Sequence, residues 1–404
     1  MVGIYNLGNA SLLKILVLIG VYSTFTNILP LSALFAVALG FFGLKKITPL
    51  TLSIYSFFLY LIISGLIFNS SQFLEYHFYR YDGNIFISYI PLLSAGLLNL
   101  NDPEKNLKKI VYFFMAISIF TILLNFILND RLILNQVQDG FLYYFSFLTN
   151  NAAGGWLSIV VVLSIFMYLK TNKFIFLIAA LIQLAVLYTL NSRGSLYSLA
   201  ASLFIYYLHK KTKISFGKIY FFIFSSLLII QLGGVYTFSM DSYYEISNIN
   251  EHLVNSGVSL KEANVSMRVL YTWPKALDLF IKFPFFGAGF GSFNDILTTS
   301  PDISYSSQMI NNDAHAHSTY LQFLAETGIF GLILFFNFLY SLYKYISFKS
   351  NQSLYKEMLL TISLMIALVS FTEDRFTAPS MIFIFSFLVV LLTSSNKRKL
   401  KKNG

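Results

Sequence analysis

Apolar residues run along this chain in long blocks separated by short polar breaks, without the period-two alternation of a strand. A helix that crosses a bilayer needs about 20 mostly apolar residues. Twelve blocks fit that description: 11–29, 30–44, 50–68, 84–99, 109–128, 152–169, 173–190, 194–208, 218–236, 318–345, 357–372 and 377–394. The first two form one run broken only by Pro30, and the fourth and eighth are short. The missing alternation argues against a β-barrel, and no internal repeat is visible. Residues 1–10 carry no charge and lead straight into Ser11–Leu29, so no cleavable signal is expected.

Composition agrees with a helical membrane protein. Hydrophobic residues make up 56% of the 404 positions and charged residues 11%, against about 25% charged in a soluble domain. So little charge excludes a soluble globule, and a disordered chain or coiled coil needs far more of it. There is no cysteine, which removes disulfides, thiolate nucleophiles and cysteine metal sites.

Charge then orients the blocks. With both termini in the cytoplasm, the cytoplasmic segments hold 20 of the 28 Lys and Arg residues, and only Asp102, Glu104 and Glu357 among the acids. That is the positive-inside pattern at every inner loop, so the net charge of +10 requires no nucleic-acid partner. Arginine is distributed differently: Arg80, Arg131, Arg193, Arg268 and Arg375, five of the six, fall outside. Topology does not ask for this. A guanidinium fork suits bidentate recognition of phosphate, so the outer face is a candidate anion site; the plain alternative is ion pairing with outer acids.

The longest outer excursion is 237–317, about 80 residues, and long loops in compact proteins are usually functional. Within it, Ser266–Phe283 places Leu270, Trp273, Leu277, Phe280 and Ile281 at helical spacing. Arg268, Lys275 and Lys282 lie seven apart on one stripe. This predicts an amphipathic helix on the membrane surface or on the protein's own outer end, with Pro274 at a kink or a first turn. The glycines at 287, 289 and 291 predict a tight turn with close backbone approach rather than a nucleotide loop.

His315 and His317 sit where the loop re-enters the membrane. A His-x-His pair can hold a metal, but further ligands would have to come from elsewhere. A neutral imidazole at a wet mouth is also a good general base, and simple hydrogen bonding at a helix start is a third reading. Glu326, nine residues on, is an acid at membrane depth and a functional candidate for that reason. Arg193 lies in a very short outer hairpin, Asn191–Leu199, directly at the membrane surface.

In order along the chain, these motifs resemble the O-antigen ligase and O-antigen polymerase superfamily of bacterial inner-membrane glycosyltransferases. The resemblance rests on Ser192-Arg193-Gly194 between two helices; on Arg268 opening the loop helix, followed by Pro284, Gly287, Gly289 and Gly291; and on His317, Ser318, Tyr320, Leu321, Leu324, Glu326, Gly328, Gly331 and Leu332. The family usually has Asn where this chain has Ser318. Motif similarity covers about residues 150–345.

The resemblance implies an all-α polytopic fold of about 12 transmembrane helices: helices 1–9 in 1–236, a large periplasmic loop in 237–317 containing amphipathic helices, and helices 10–12 with a basic cytoplasmic tail in 318–404. It implies an inverting transfer of an oligosaccharide from undecaprenyl diphosphate to an acceptor hydroxyl at the periplasmic face. Arg193 and Arg268 would hold the diphosphate and His317 would be the base, with His315, Glu326 and Lys275 supporting. No cofactor or metal is implied, and no Asp-x-Asp motif is present. The partners implied are the lipid-linked donor, an acceptor glycan (a second lipid-linked repeat unit or lipid A–core) and the membrane, with a chain-length regulator as a further candidate. A repeat-unit polymerase is favoured over a ligase, because abundant Phe and Tyr (43 and 27) suit the AT-rich gene clusters where polymerases sit. A lipid-linked oligosaccharide transporter is the alternative of another class. It would carry repeats and mid-membrane charges, whereas here charge concentrates in the outer loops.

Overall fold

The computed structural model describes residues 4–24, 29–44, 47–73, 84–98, 103–129, 150–190, 192–212, 214–238, 268–295, 316–350, 353–373, 376 and 379–393. Among these residues the chain is all-helical. Its helices are α1 (Ile4–Ser23), α2 (Leu29–Gly43), α3 (Pro49–Phe68), the single turn α4 (Ser70–Phe73), α5 (Asn84–Tyr89), α6 (Pro103–Asn129), α7 (Asn150–Thr171), α8 (Phe174–Thr189), α9 (Arg193–Thr212), α10 (Phe216–Phe238), α11 (Trp273–Lys282), α12 (Thr319–Lys349), α13 (Ser353–Val369) and α14 (Pro379–Leu392).

Each of the twelve apolar blocks contains a helix, and the break at Pro30 is real: α1 ends at Ser23 and Pro30 sits in the first turn of α2, where its missing N–H costs nothing. Among the described residues, four helices can cross a membrane by length and composition: Pro49–Phe68, Ala153–Thr171, Phe216–Thr237 and Thr319–Lys349. Others are shorter apolar helices. The block at 84–99 is the clearest case. It is the six-residue α5 running into a 3₁₀ turn, Ile90–Ser94, because Pro91 cannot donate to the helix ladder. The protein is a membrane-embedded helical bundle.

Packing sorts helices that look alike in sequence. Residues 381–393 of α14 and its end are all buried, and α14 touches α1, α5, α7 and α13. α7 packs on α8 and α6, and its Trp156 is fully buried edge-on to Phe114, centroids 4.4 Å apart. α3 lies along α12, α9 along α13, and α11 across α12 and α10.

One end of the bundle is rich in lysine. There Glu104 meets Lys108 and, at 3.4 Å, Lys170, whose ammonium also donates to the Tyr355 hydroxyl. Lys210 pairs with Glu357 at 2.7 Å. The hydrogen bond from Lys108 holds the Glu104 carboxyl below its ordinary pKa. The candidate site is built at the other end.

Candidate active site

α12 opens with a well-defined cap. Ser318 is extended (φ −153°, ψ 111°), and its Oγ accepts from the backbone N–H of Leu321, satisfying one of the orphan donors of a helix start. Ser and Asn cap helices about equally well, so the serine found where the family usually has asparagine preserves this local structure. His317, just before the cap, is partly buried and has left-handed backbone, φ 50°, a conformation that His tolerates better than most residues.

The start of α12 is fixed to the turn after α13. Thr319 N–H donates to Ser370 O at 3.0 Å, and the Tyr320 hydroxyl to Ala367 O at 2.9 Å. Gln231 of α10 joins the same place: its Nε2 donates to Phe371 O at 2.9 Å, and its Oε1 accepts from Ser318 Oγ at 3.3 Å.

Arg268 arrives from the loop. Its Nη1 donates to Thr372 O at 2.8 Å and its Nη2 to Glu373 Oε1 at 3.1 Å. The hairpin of Arg193 reaches the turn as well. A Cβ on Gly194 would lie in ordinary contact with Thr372 Oγ1 (3.5 Å) and Glu373 Cγ (3.8 Å). Arg193 itself is exposed at the first turn of α9. Residues 370–373 thus gather the SRG hairpin, Arg268 and the segment carrying His317. Sequence reasoning counted Glu373 only as one of the outer acids and did not single out Gln231. The one available signal was an acidic pair, Glu373-Asp374, closing an apolar block.

The loop helix departs from the expected basic stripe. Arg268–Thr272 is π-helical and α11 follows with Pro274 in its first turn. The wider π turn shifts the 3.6-residue register, so Arg268 no longer shares a face with Lys275, while Lys275 and Lys282 stay seven apart within the regular helix. Arg268 meets Glu373. Lys275 is 2% exposed, with Nζ 4.3 Å from the centre of the Phe293 ring. Lys282 pairs with Asp278 on its own helix at 2.7 Å. α11 therefore rests on the end of the bundle away from the lysines, with Thr272 Oγ1 donating to Ala316 O at 3.3 Å beside His317.

The glycine segment has a physical role. α12 is interrupted at Gly328 (φ 64°, ψ −168°), which frees backbone groups at membrane depth. The segment re-satisfies them: Ala288 and Gly289 N–H donate to Ala325 O and Glu326 O, at 3.0 and 2.9 Å, while Pro284 O and Phe285 O accept from Ile329 and Phe330 N–H, at 2.9 and 3.2 Å. This is the condition for a broken helix in a bilayer. The expected close backbone approach is present, since a Cβ on Gly287 would lie 2.3 Å from Glu326 C. Glu326, fully buried, accepts from Phe293 N–H at 3.2 Å. It fastens the loop's 3₁₀ turn, Ser292–Asp295, to α12.

His315, Arg80, Arg131, Arg375 and residues 239–267 and 296–315 of the large loop lie outside the described residues. Among the described residues no three His, Asp or Glu side chains are grouped to hold a metal.

An apolar helical bundle with two arginine-bearing motifs and a histidine converging on one turn at its end defines a membrane-embedded protein with a polar, anion-suited surface site. A family model described as O-antigen ligase matches residues 178–336, from within α8 to Phe336 in α12. The match takes in Arg193, Arg268, His317 and Glu326, and it supports the resemblance of the chain to the O-antigen ligase and O-antigen polymerase superfamily. The family's activity is of the glycosyltransferase type, and nothing found supports a transporter. No curated protein matches the chain.

Proposed function

We propose that this protein transfers an oligosaccharide from undecaprenyl diphosphate to an acceptor sugar hydroxyl at the periplasmic face of the bacterial inner membrane. The chain would cross the membrane about twelve times with both termini in the cytoplasm, the lysine-rich end inside. The observation that carries this reading is the convergence of the Arg268, Arg193 and His317 motifs on residues 370–373, within the stretch matched by the family model and its continuation in α13.

Arg268 spends one N–H on Thr372 O and one on Glu373, leaving other guanidinium donors for a phosphate oxygen. Arg193, exposed next to Gly194, which abuts the same Thr372 and Glu373, supplies a second fork. Together they neutralise charge that grows on the diphosphate as the bond to the anomeric carbon breaks. The acceptor oxygen forms its bond to that carbon from the opposite side and configuration inverts. His317 takes the acceptor's proton, and undecaprenyl diphosphate leaves. Glu326 and Lys275 support the site from behind by holding the 292–295 turn. Two arginines supply the electrostatic work that a metal does elsewhere, so the reaction is read as metal-independent.

The acceptor is read as a second lipid-linked repeat unit, which makes the protein a polymerase. The matched family model, O-antigen ligase, favours lipid A–core as the second reading. Deletion in the native host separates them. Lipopolysaccharide carrying one repeat unit means a lost polymerase, and lipid A–core carrying none means a lost ligase. An unchanged ladder overturns both.

A further inference from the structure

A partly open groove of about 570 Å³ lies between α10, α12 and α13. Phe221, Phe224 and Leu228 line one wall, and Phe336, Leu339 and Tyr343 the other. Its mouth lies at Ser215–Lys218 and Tyr340, at the lysine-rich end of the bundle. From Ser215 to Leu228 the groove follows α10 for about 20 Å at 1.5 Å per residue, close to the ~15 Å of one leaflet's hydrocarbon.

Three observations choose the occupant. First, the groove is closed toward the candidate active site by an aromatic seal: Phe224 lies 4.9 Å from Tyr320, 5.3 Å from Phe336 and 5.4 Å from Phe371 between ring centroids. It is therefore not a continuation of that site. Second, only 11% of the α10 span is buried, against 44–78% for the other three long spans, so most of α10 faces something other than the described residues. Third, the mouth is basic. Lys218 lines it, and Lys344 Nζ sits 4.7 Å above the ring of Tyr340. Both lysines are exposed, and neither has a carboxylate partner among the described residues, whereas Lys108, Lys170 and Lys210 at the same end are ion-paired.

We infer that this groove binds one anionic glycerophospholipid from the leaflet at the lysine-rich end, its phosphate on Lys218 and Lys344 and an acyl chain along Phe221, Phe224 and Leu228. Basic residues beside a bilayer attract anionic head groups, and an apolar slot one leaflet deep accepts a chain that water would not fill. The lipid braces α10, which three residues beyond Leu228 carries Gln231, the residue bonded to Ser318 and Phe371. The groove's lining shares no residue with the candidate active site.

The test is native mass spectrometry of the full-length protein released from nanodiscs holding phosphatidylglycerol and phosphatidylethanolamine with matched chains. The expected result is one retained phosphatidylglycerol, preferred about tenfold. The preference disappears in the Lys218→Gln, Lys344→Gln double variant, whose substitutions are both exposed and leave packing intact. Ser225→Trp, which fills the groove, loses the lipid altogether. Equal retention of the two lipids overturns the inference. So does retention of a polyprenyl phosphate in place of phosphatidylglycerol, or a lipid-free dimer.

Discussion

Arg268 and Glu373 form an ion pair across 105 positions of sequence, and the same guanidinium also donates to Thr372 O. Both side chains are largely shielded, 20% and 15% exposed, so the pair fixes where the fork points before any donor arrives. Glu373→Ala is expected to lower transfer about tenfold or more, the value of a hydrogen bond to a charged group, mainly through a raised KM for the lipid-linked donor. Glu373→Gln keeps the accepting oxygen and should recover most of the loss. Steady-state transfer by purified protein checks this. A kcat defect that Gln does not rescue assigns Glu373 another role.

Arg193→Lys and Arg268→Lys should each lose about 10²-fold in activity at unchanged expression. Lysine keeps the charge but not the planar fork, and removal of one preorganised donor at a developing anion typically costs that much. In Arg268→Lys one ammonium nitrogen replaces the two guanidinium nitrogens that separately bond Thr372 O and Glu373. Full polysaccharide ladders from either variant would remove the diphosphate assignment.

His317 is expected to be the base and His315 secondary. His317→Asn is the informative substitution, since Asn accepts left-handed backbone and the cap at Ser318 is untouched. Its thermal unfolding should match wild type while single-turnover transfer falls about 10²–10⁴-fold. His315→Ala should leave a reduced ladder. If His315→Ala is dead and His317→Asn is active, the roles are exchanged.

Transfer should survive chelation, because the proposed chemistry rests on arginine forks and one imidazole. Activity lost in a chelator and restored by one divalent ion would overturn the metal-free reading.

The parts of this structure legible in sequence are those set by local chemistry. The break at Pro30, the first-turn Pro274, the short hairpin at Arg193 and the close glycine approach all follow from backbone geometry that residue type dictates. What could not be read depends on distant contacts. Glu373 meets Arg268 through the fold alone, with no spacing to announce it. The central position of α14 and the peripheral position of α3 are also silent, because lipid is as apolar as a protein core and both helices are hydrophobic all round. The stripe Arg268, Lys275, Lys282 failed for a third reason. One π turn changed the register between Arg268 and Lys275, and Lys275 is buried against Phe293 where the spacing argument assumed an open face.

The glycine segment gives the sharpest stability contrast. Gly287 and Gly328 both have positive φ, 75° and 64°, and a Cβ on either would lie within 2.4 Å of facing backbone atoms. Neither neighbour can yield without breaking the bonds between residues 284–289 and the interrupted α12. Gly287→Ala and Gly328→Ala should therefore each cost about 1–3 kcal/mol in backbone strain, with the clash in addition. They should also detach the turn that Glu326 anchors, so that activity falls with stability. Gly233 in α10 is the control. No described residue lies within 4 Å of its Cβ position, and Ala is favoured over Gly in a helix by about 1 kcal/mol, so Gly233→Ala should be neutral or stabilising. Thermal unfolding in detergent, read beside transfer activity, checks all three. A Gly287→Ala protein as stable and active as wild type would mean that the segment does not close the break in α12.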